Sequence, residues 1–339
     1  MDRRDFLKTG SIITAGAFTP QFADARNNNV VFGGWIPNNS AVKDWTNKTS
    51  RPFFSQQALH LKGSGKGRRV FLWKFLERAM GKRLVPHDQG IGDCVGQGWG
   101  LGVDMLTAVQ VFLHNRPERW VAKASTEAIY VLSRMEVGEG RIRGDGSHGV
   151  WAAEAVREYG VLLRQPYLDG KYDFTEYSAA KARRWAHKCR RCTAWGGGLP
   201  DELEPVAKEH PVRTTTLITS WEQARDAIAN GYPVVVCSKQ GFGRKNPTRD
   251  THGFLSPSGT WYHCMLLAGI DTISDRHGGL IINSWGENWV SGPTQWDQPA
   301  GSFWAEPDVI DSMLKQEDSF ALSNYKGYPG QNNLDYRLY

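Results

Sequence analysis

Apolar residues recur at helical spacing from Cys94 to His114, at Val95, Trp99, Val103, Leu106, Val109 and Leu113, and this pattern predicts one long helix. Glycines at 96, 98, 100 and 102 would weaken that helix in isolation, so their presence predicts that other segments pack closely onto it. Val70 to Met80, Ser125 to Met135, Val150 to Tyr159 and Trp221 to Asn230 are shorter helix candidates. From Pro233 onward the texture changes to strands, at Pro233 to Cys237, Tyr262 to Ile270 and Leu280 to Trp285. Helices first and strands later predict an α+β chain of two lobes. Arg26 to about Lys66 is polar, with few periodic apolar positions, and reads as an arm or short pro-segment.

The composition excludes several classes. At 40% hydrophobic and 22% charged, the 339 residues can build a sizeable core, unlike a disordered or collagenous chain. No apolar run approaches the ~20 residues that span a bilayer, so no integral membrane segment is expected once a signal is removed. The net charge of +6 is mild and spread out, which does not fit a nucleic-acid reader. The tryptophans at 261, 285, 289, 296 and 304 are assigned to the strand-rich lobe and the edge of a cleft.

The N-terminus resembles a twin-arginine export signal. Arg3-Arg4-Asp5-Phe6-Leu7-Lys8 is followed by a weakly apolar stretch from Ile12 to Phe18 and by Ala23-Asp24-Ala25, an A-x-A cleavage site. Residues 1–25 are expected to be removed by a twin-arginine translocation machinery, leaving a periplasmic or extracellular bacterial protein that begins at Arg26.

Three segments carry the candidate chemistry. Asp88 to Val95 opens the long helix with a thiol, Trp261-Tyr262-His263-Cys264 enters a strand, and Ile282-Asn283-Ser284-Trp285-Gly286 ends another. A thiolate is the nucleophile of thiol chemistry, and a helix N-terminus and a nearby imidazolium both stabilise it. Cys94 has the first by position. His263 can take the thiol proton and return it to a leaving amine. Asn283 can accept from the other ring nitrogen, and Gln89 with the Cys94 backbone N–H can hold a developing oxyanion. This chemistry needs neither metal nor cofactor.

Together these residues resemble a papain-like cysteine peptidase. Asn283-Ser284-Trp285-Gly286 matches the family's Asn-Ser-Trp-Gly, in which the Trp shields the His–Asn pair. Gln89-Gly90 with Gly92-x-Cys94 matches the nucleophile segment, Gly144-Asp145-Gly146 ahead of Trp151 to Gly160 resembles the Gly-Cys-Asn-Gly-Gly segment and its helix, and Pro166-Tyr167 resembles a downstream Tyr-Pro-Tyr. The resemblance runs from about Val85 to Trp304. It implies a helical lobe and a β-barrel-like lobe with a cleft between them, a peptide or protein substrate, an acyl-thioester intermediate, and a substrate strip at Gly146 and Ser147 beside Trp285. It gives a peptidase domain over 85–322 with an insertion at about 172–210, an arm over 26–84 that can cover the cleft, and a tail over 323–339.

The chain departs from the family at several points. His263 and Asn283 lie farther beyond Cys94 than the ~130–150 residues usual there, which fits the insertion. Asp93 sets a carboxylate beside the thiol, Val95 replaces an aromatic, and Gln89 is one residue closer to the Cys than usual. Ser147 stands for a second Gly, and Ile91 and Gly144 stand where the family has a disulfide. These departures keep a second reading open, a weakly active or inactive peptide- or wall-binding protein on the same fold. A third is a transpeptidase acting in a surface assembly. His187-x-Cys189-x-x-Cys192 lacks the second ligand pair of a zinc site, leaving a local disulfide, a bridge to Cys237 or free thiols. Cys264, on the other strand face from His263, is expected in the core.

Overall fold

The computed structural model describes residues 33–113, 119–187, 197–243, 246–329 and 334–336. The proposed signal at 1–25, and Cys189 and Cys192, lie outside them. The first part of the chain is helical. Helix α1 (Asn39–Lys48) starts where the Asn38 side chain accepts from the Ala41 N–H, and α2 (Phe54–Gln57) is a single turn. Strand β1 (Arg69–Phe71) leads directly into α3 (Leu72–Met80), and the long helix is α4 (Cys94–Leu113). Helix α5 (Thr126–Leu132) runs on into a π-helical turn at Ser133–Val137, and α6 is Gly149–Glu158. A small hairpin of β2 (Pro166–Tyr167) and β3 (Tyr172–Asp173) follows, then α7 (Ala179–Trp185) and α8 (Glu204–Ala207). Phe174 and Trp185, 5.6 Å apart, bury this region against α5.

The glycines of α4 are explained by what lies against them. A Cβ on Gly96 or Gly100 would come within 2.6 Å of Thr126, at the start of α5. A Cβ on Gly98 would meet the Cys264 sulfur at 3.1 Å, and one on Gly102 would meet Val235 at 3.1 Å. Two stripes spaced four residues apart therefore let α5 and the sheet both approach the α4 backbone.

The sheet is formed by β4 (Thr214–Leu217), β5 (Val234–Gln240), β6 (Thr260–Asp271), β7 (Gly278–Ile282), β8 (Ser302–Ala305) and β9 (Phe320–Ser323), with α9 (Trp221–Ala229) and α10 (Pro307–Leu314) between strands. Its order is β4-β9-β5-β6-β7-β8, with β1 added beside the far end of β6. This corrects the expected β-barrel-like lobe, because the sheet is open and β4 and β8 do not pair. Leu217 N of β4 donates to Pro52 O at 2.8 Å, while on β8 the Trp304 O accepts from Leu255 N at 3.0 Å. Each edge is thus covered by loop backbone rather than by another strand. Both faces are also covered by helices. Val235, Leu266 and Leu322 face Gly102 of α4, whereas Leu267 and Gly279 meet Trp221 and Ile310 of α9 and α10. A sheet buried on both faces needs no closure onto itself.

The arm is part of the core, although its pattern predicted little structure. Trp35, Val42, Trp45 and Phe54 are all buried; Trp45 stands edge-on to Phe320 at 5.4 Å and Phe54 to Tyr328 at 4.8 Å. Tyr328 and Leu334, in the expected tail, are buried as well.

Candidate active site

Cys94 is the first residue of α4, and the Asp93 carbonyl accepts the first helical bond, from Gln97 N at 3.1 Å. The side chain of Asp93 turns into the helical lobe, where Gln97 Nε2 and the Tyr177 hydroxyl each donate to Oδ2 at 2.9 Å. Burial pushes this carboxyl up to about 7. The Cys94 sulfur is fully buried, and the backbone N–H groups of Gly34 and Cys264 approach it.

His263 lies in β6, directly before Cys264, so the long strand that packs on α4 also carries the imidazole to the seam. Its Nε2 is 2.6 Å from Asn283 Oδ1, just past the end of β7. The same oxygen accepts the Ser284 N–H at 2.7 Å, which identifies it as the carbonyl oxygen of the amide. Nε2 is therefore the protonated nitrogen, and Nδ1, buried with no hydrogen-bond partner, holds the free lone pair. The Trp285 ring lies 4.6 Å from the imidazole, tilted by 31°, and packs on Trp261 and Trp289 in turn. Burial depresses His263 to about 4, with the Asn283 bond opposing. Cys264 is core, as its strand position predicts, with its sulfur 2.9 Å from that of Cys237.

Gln89 is buried beside this pair. Its Nε2 donates to Ile91 O at 2.8 Å and its Oε1 accepts from Ser284 Oγ at 2.6 Å, tying the nucleophile loop to the residue after Asn283. Asp88 and Trp285 form an isolated antiparallel bridge alongside.

The expected substrate strip is occupied by the chain itself. Ser147 N donates to Gly34 O at 2.8 Å, and Ile36 N donates to Ser147 O at 2.9 Å, pairing Trp35 with Ser147 in parallel. On the other side, Gly34 N and Trp35 N both donate to Tyr262 O, at 2.9 and 3.1 Å. Residues 33–36 therefore run between the helical lobe and the residue preceding His263. Gly146, with φ +108°, allows this, because a Cβ there would come within 2.8 Å of Ile36. Arg134, buried in the π-helical turn, donates to the carbonyls of Ile142, Gly144 and Gly146 and holds the strip in shape.

Three residues that hold the arm carried no motif in the sequence. Trp35 Nε1 donates to Asp318 Oδ2 at 2.6 Å, and the same carboxylate accepts Gly149 N and Val150 N at the start of α6. His148 Nδ1 is 2.6 Å from Ile36 O. The adjacent glycines at 33 and 34 were the available signal, since paired glycines mark a place where backbone must pass close to something.

Burial raises Cys94 well above the ordinary thiol range, and the neighbouring Cys264 and Asp93 add to it. Among the described residues no cluster of three metal-ligating side chains occurs.

No protein-family model matches the chain, and no curated protein matches it. Its fold is similar to that of xylellain, a cysteine protease from Xylella fastidiosa, with a TM-score of 0.50 at 16% identity over 91% of this chain and 96% of that one. It is also similar to procathepsin B S9 from Trypanosoma congolense, with a TM-score of 0.50 at 12% identity over 88% of this chain and 86% of that one. The chain has the α+β, two-lobed fold of papain-like cysteine proteases.

Proposed function

We propose that the chain is a cysteine peptidase, held latent by its own residues 33–36. The observation that carries this reading is the His263–Asn283 pair: Nε2 is occupied, Nδ1 is free, and an indole covers the ring. With the arm displaced, His263 Nδ1 takes the Cys94 proton and the thiolate attacks the scissile carbonyl carbon. The oxyanion forms against the Cys94 backbone N–H and the Gln89 amide. The C–N bond breaks as His263 passes its proton to the leaving amine, and water then attacks the acyl-thioester through the same base. Ser147 pairs with the substrate backbone as it pairs with the arm, and Gly146 leaves room for the chain to pass. Digestion of a peptide library by arm-displaced protein tests this. Cleavage products that vanish in Cys94→Ala support it, and the absence of products at any pH contradicts it.

The raised thiol favours a second reading, a peptide-binding protein of little activity. Undiminished peptide binding without turnover in arm-displaced protein would distinguish it.

Export belongs to this proposal too, on the strength of Arg3-Arg4 and Ala23-Asp24-Ala25. A mature protein beginning at Arg26 in the periplasmic fraction supports it, and intact Met1 in the cytoplasm opposes it. Cleavage after Ala25 leaves Gly33 to Ile36 in place, so signal removal alone does not open the cleft.

A further inference from the structure

A cavity of about 510 Å³ opens on the helical lobe, and neither Cys94 nor His263 lines it. His87, Gln97, Lys123 and Arg164 contribute to its polar lining, while Met80 and Trp120 supply apolar wall. Both ring nitrogens of His87 are buried; the Gln97 side chain is the polar group beside the ring, and neither nitrogen has a well-aligned hydrogen bond. Its ring is held neutral, depressed to about 3 by burial and by the Lys123 and Arg164 charges. It therefore offers one N–H and one lone pair.

The charges around this ring are unevenly placed. Arg164 is anchored by Glu127 at 2.9 Å and by Thr126 Oγ1 at 3.0 Å. Beside Lys123, the Asp104 carboxyl is already engaged by the Ala124 N–H at 2.6 Å, and burial holds the Lys123 ammonium below the usual lysine range with Asp104 opposing. Asp88 and Glu176 line the cavity from exposed positions, where water screens them. Lys82 stands at the same exposed side and is screened with them. The inner wall carries Lys123 and Arg164 beside the His87 ring, and the space is too large for a bare inorganic ion.

We propose that this cavity is a binding site for a small organic carboxylate, with its charged head on Lys123 and the His87 N–H and its apolar body against Trp120 and Met80. The site does not depend on peptidase activity. It adjoins the cleft through its loop, because His87 O accepts Gly286 N at 2.8 Å and the following residues lead into Gln89.

The test uses full-length Cys94→Ala protein, so that loss of peptidase activity cannot affect the result. The imidazole signals of histidine-labelled protein are followed by NMR during titration with benzoate, and with inorganic phosphate in parallel. Saturable movement of the His87 signals by benzoate, with affinity weakened about tenfold or more in Lys123→Met, supports the site, as expected for loss of a charge-assisted contact. The Met stem keeps the side-chain volume, and an unchanged melting temperature certifies the variant's fold. Unmoved His87 signals, equal affinity in Lys123→Met, or phosphate binding as well as benzoate would overturn the proposal.

Discussion

Gly34 sits over Cys94 so closely that a Cβ on it would lie 3.1 Å from the sulfur and 2.2 Å from the Gly92 carbonyl oxygen. No residue but glycine can cross the nucleophile on this path. Gly34→Val should therefore expel residues 33–36 from the cleft, Trp35 with them, while the separate core contacts of Trp45 and Phe54 remain. Labelling of Cys94 by a thiol-directed epoxide is expected to accelerate about tenfold or more, equivalent to ~1.4 kcal/mol of lost closure. Unchanged labelling kinetics would mean that the arm does not gate the thiol.

The pH dependence of labelling follows from the burial of the same sulfur. The folded, closed state disfavours the thiolate, so wild-type alkylation should stay slow through neutral pH and climb only beyond the ordinary thiol range. In Gly34→Val the profile should move to lower pH, since solvent then reaches the sulfur. A wild-type profile already flat at neutral pH would contradict the direction of the shift.

His263 gives a second pH signature. Its folded pKa of about 4 lies below the unfolded value, so between roughly pH 6.5 and 4 the unfolded chain binds more protons. The contribution of this ring to stability is present above that window and is lost as pH falls through it. Trp285→Ala admits water to the ring and should raise the His263 value toward 6.5, as read from its NMR titration. A value still near 4 would assign the depression to some other group.

Asn283→Ala removes the 2.6 Å bond that fixes the imidazole. In arm-displaced protein, kcat is expected to drop ~100-fold with KM little changed, because general acid–base catalysis is lost while the binding strip stays intact. Equal loss in KM would place Asn283 in substrate binding instead.

Trp35→Ala tests whether the arm is core or cover. Its indole is buried and bonded to Asp318, so truncation should cost about 3–5 kcal/mol of folding stability in denaturant titrations. A detachable cover would lose its docking but leave the unfolding midpoint of the remainder in place.

Local pattern carried much of this architecture. The α4 periodicity and its glycines predicted a long, closely packed helix because both signals lie within twenty residues, and α5 and the sheet are the close neighbours. Strand order is not local. Nothing near β4 or β8 records that loop backbone from Pro52 and Leu255 covers their edges, so an open sheet could not be read from the strands alone. The arm misled for a related reason: Trp35, Val42, Trp45 and Phe54 each find separate partners across the molecule, so their burial leaves little helical or strand period. Where the family resemblance implied a lost disulfide between Ile91 and Gly144, polar contacts span the gap. Gly92 N reaches Asp145 Oδ2 at 3.3 Å, Arg183 pairs with that carboxylate at 3.0 Å, and Arg134 holds Gly144 O at 2.7 Å. Those partners are far apart in sequence and carry no spacing rule.

The proposed activation of Cys94 by His263 is tested most directly by intact-mass and peptide mapping of Gly34→Val protein after exposure to a thiol-directed epoxide, alone and combined with His263→Ala. A single adduct on Cys94 that forms at least tenfold more slowly without the imidazole is expected. An adduct on Cys237 or Cys264 instead, or one on Cys94 that forms equally fast without His263, would contradict it.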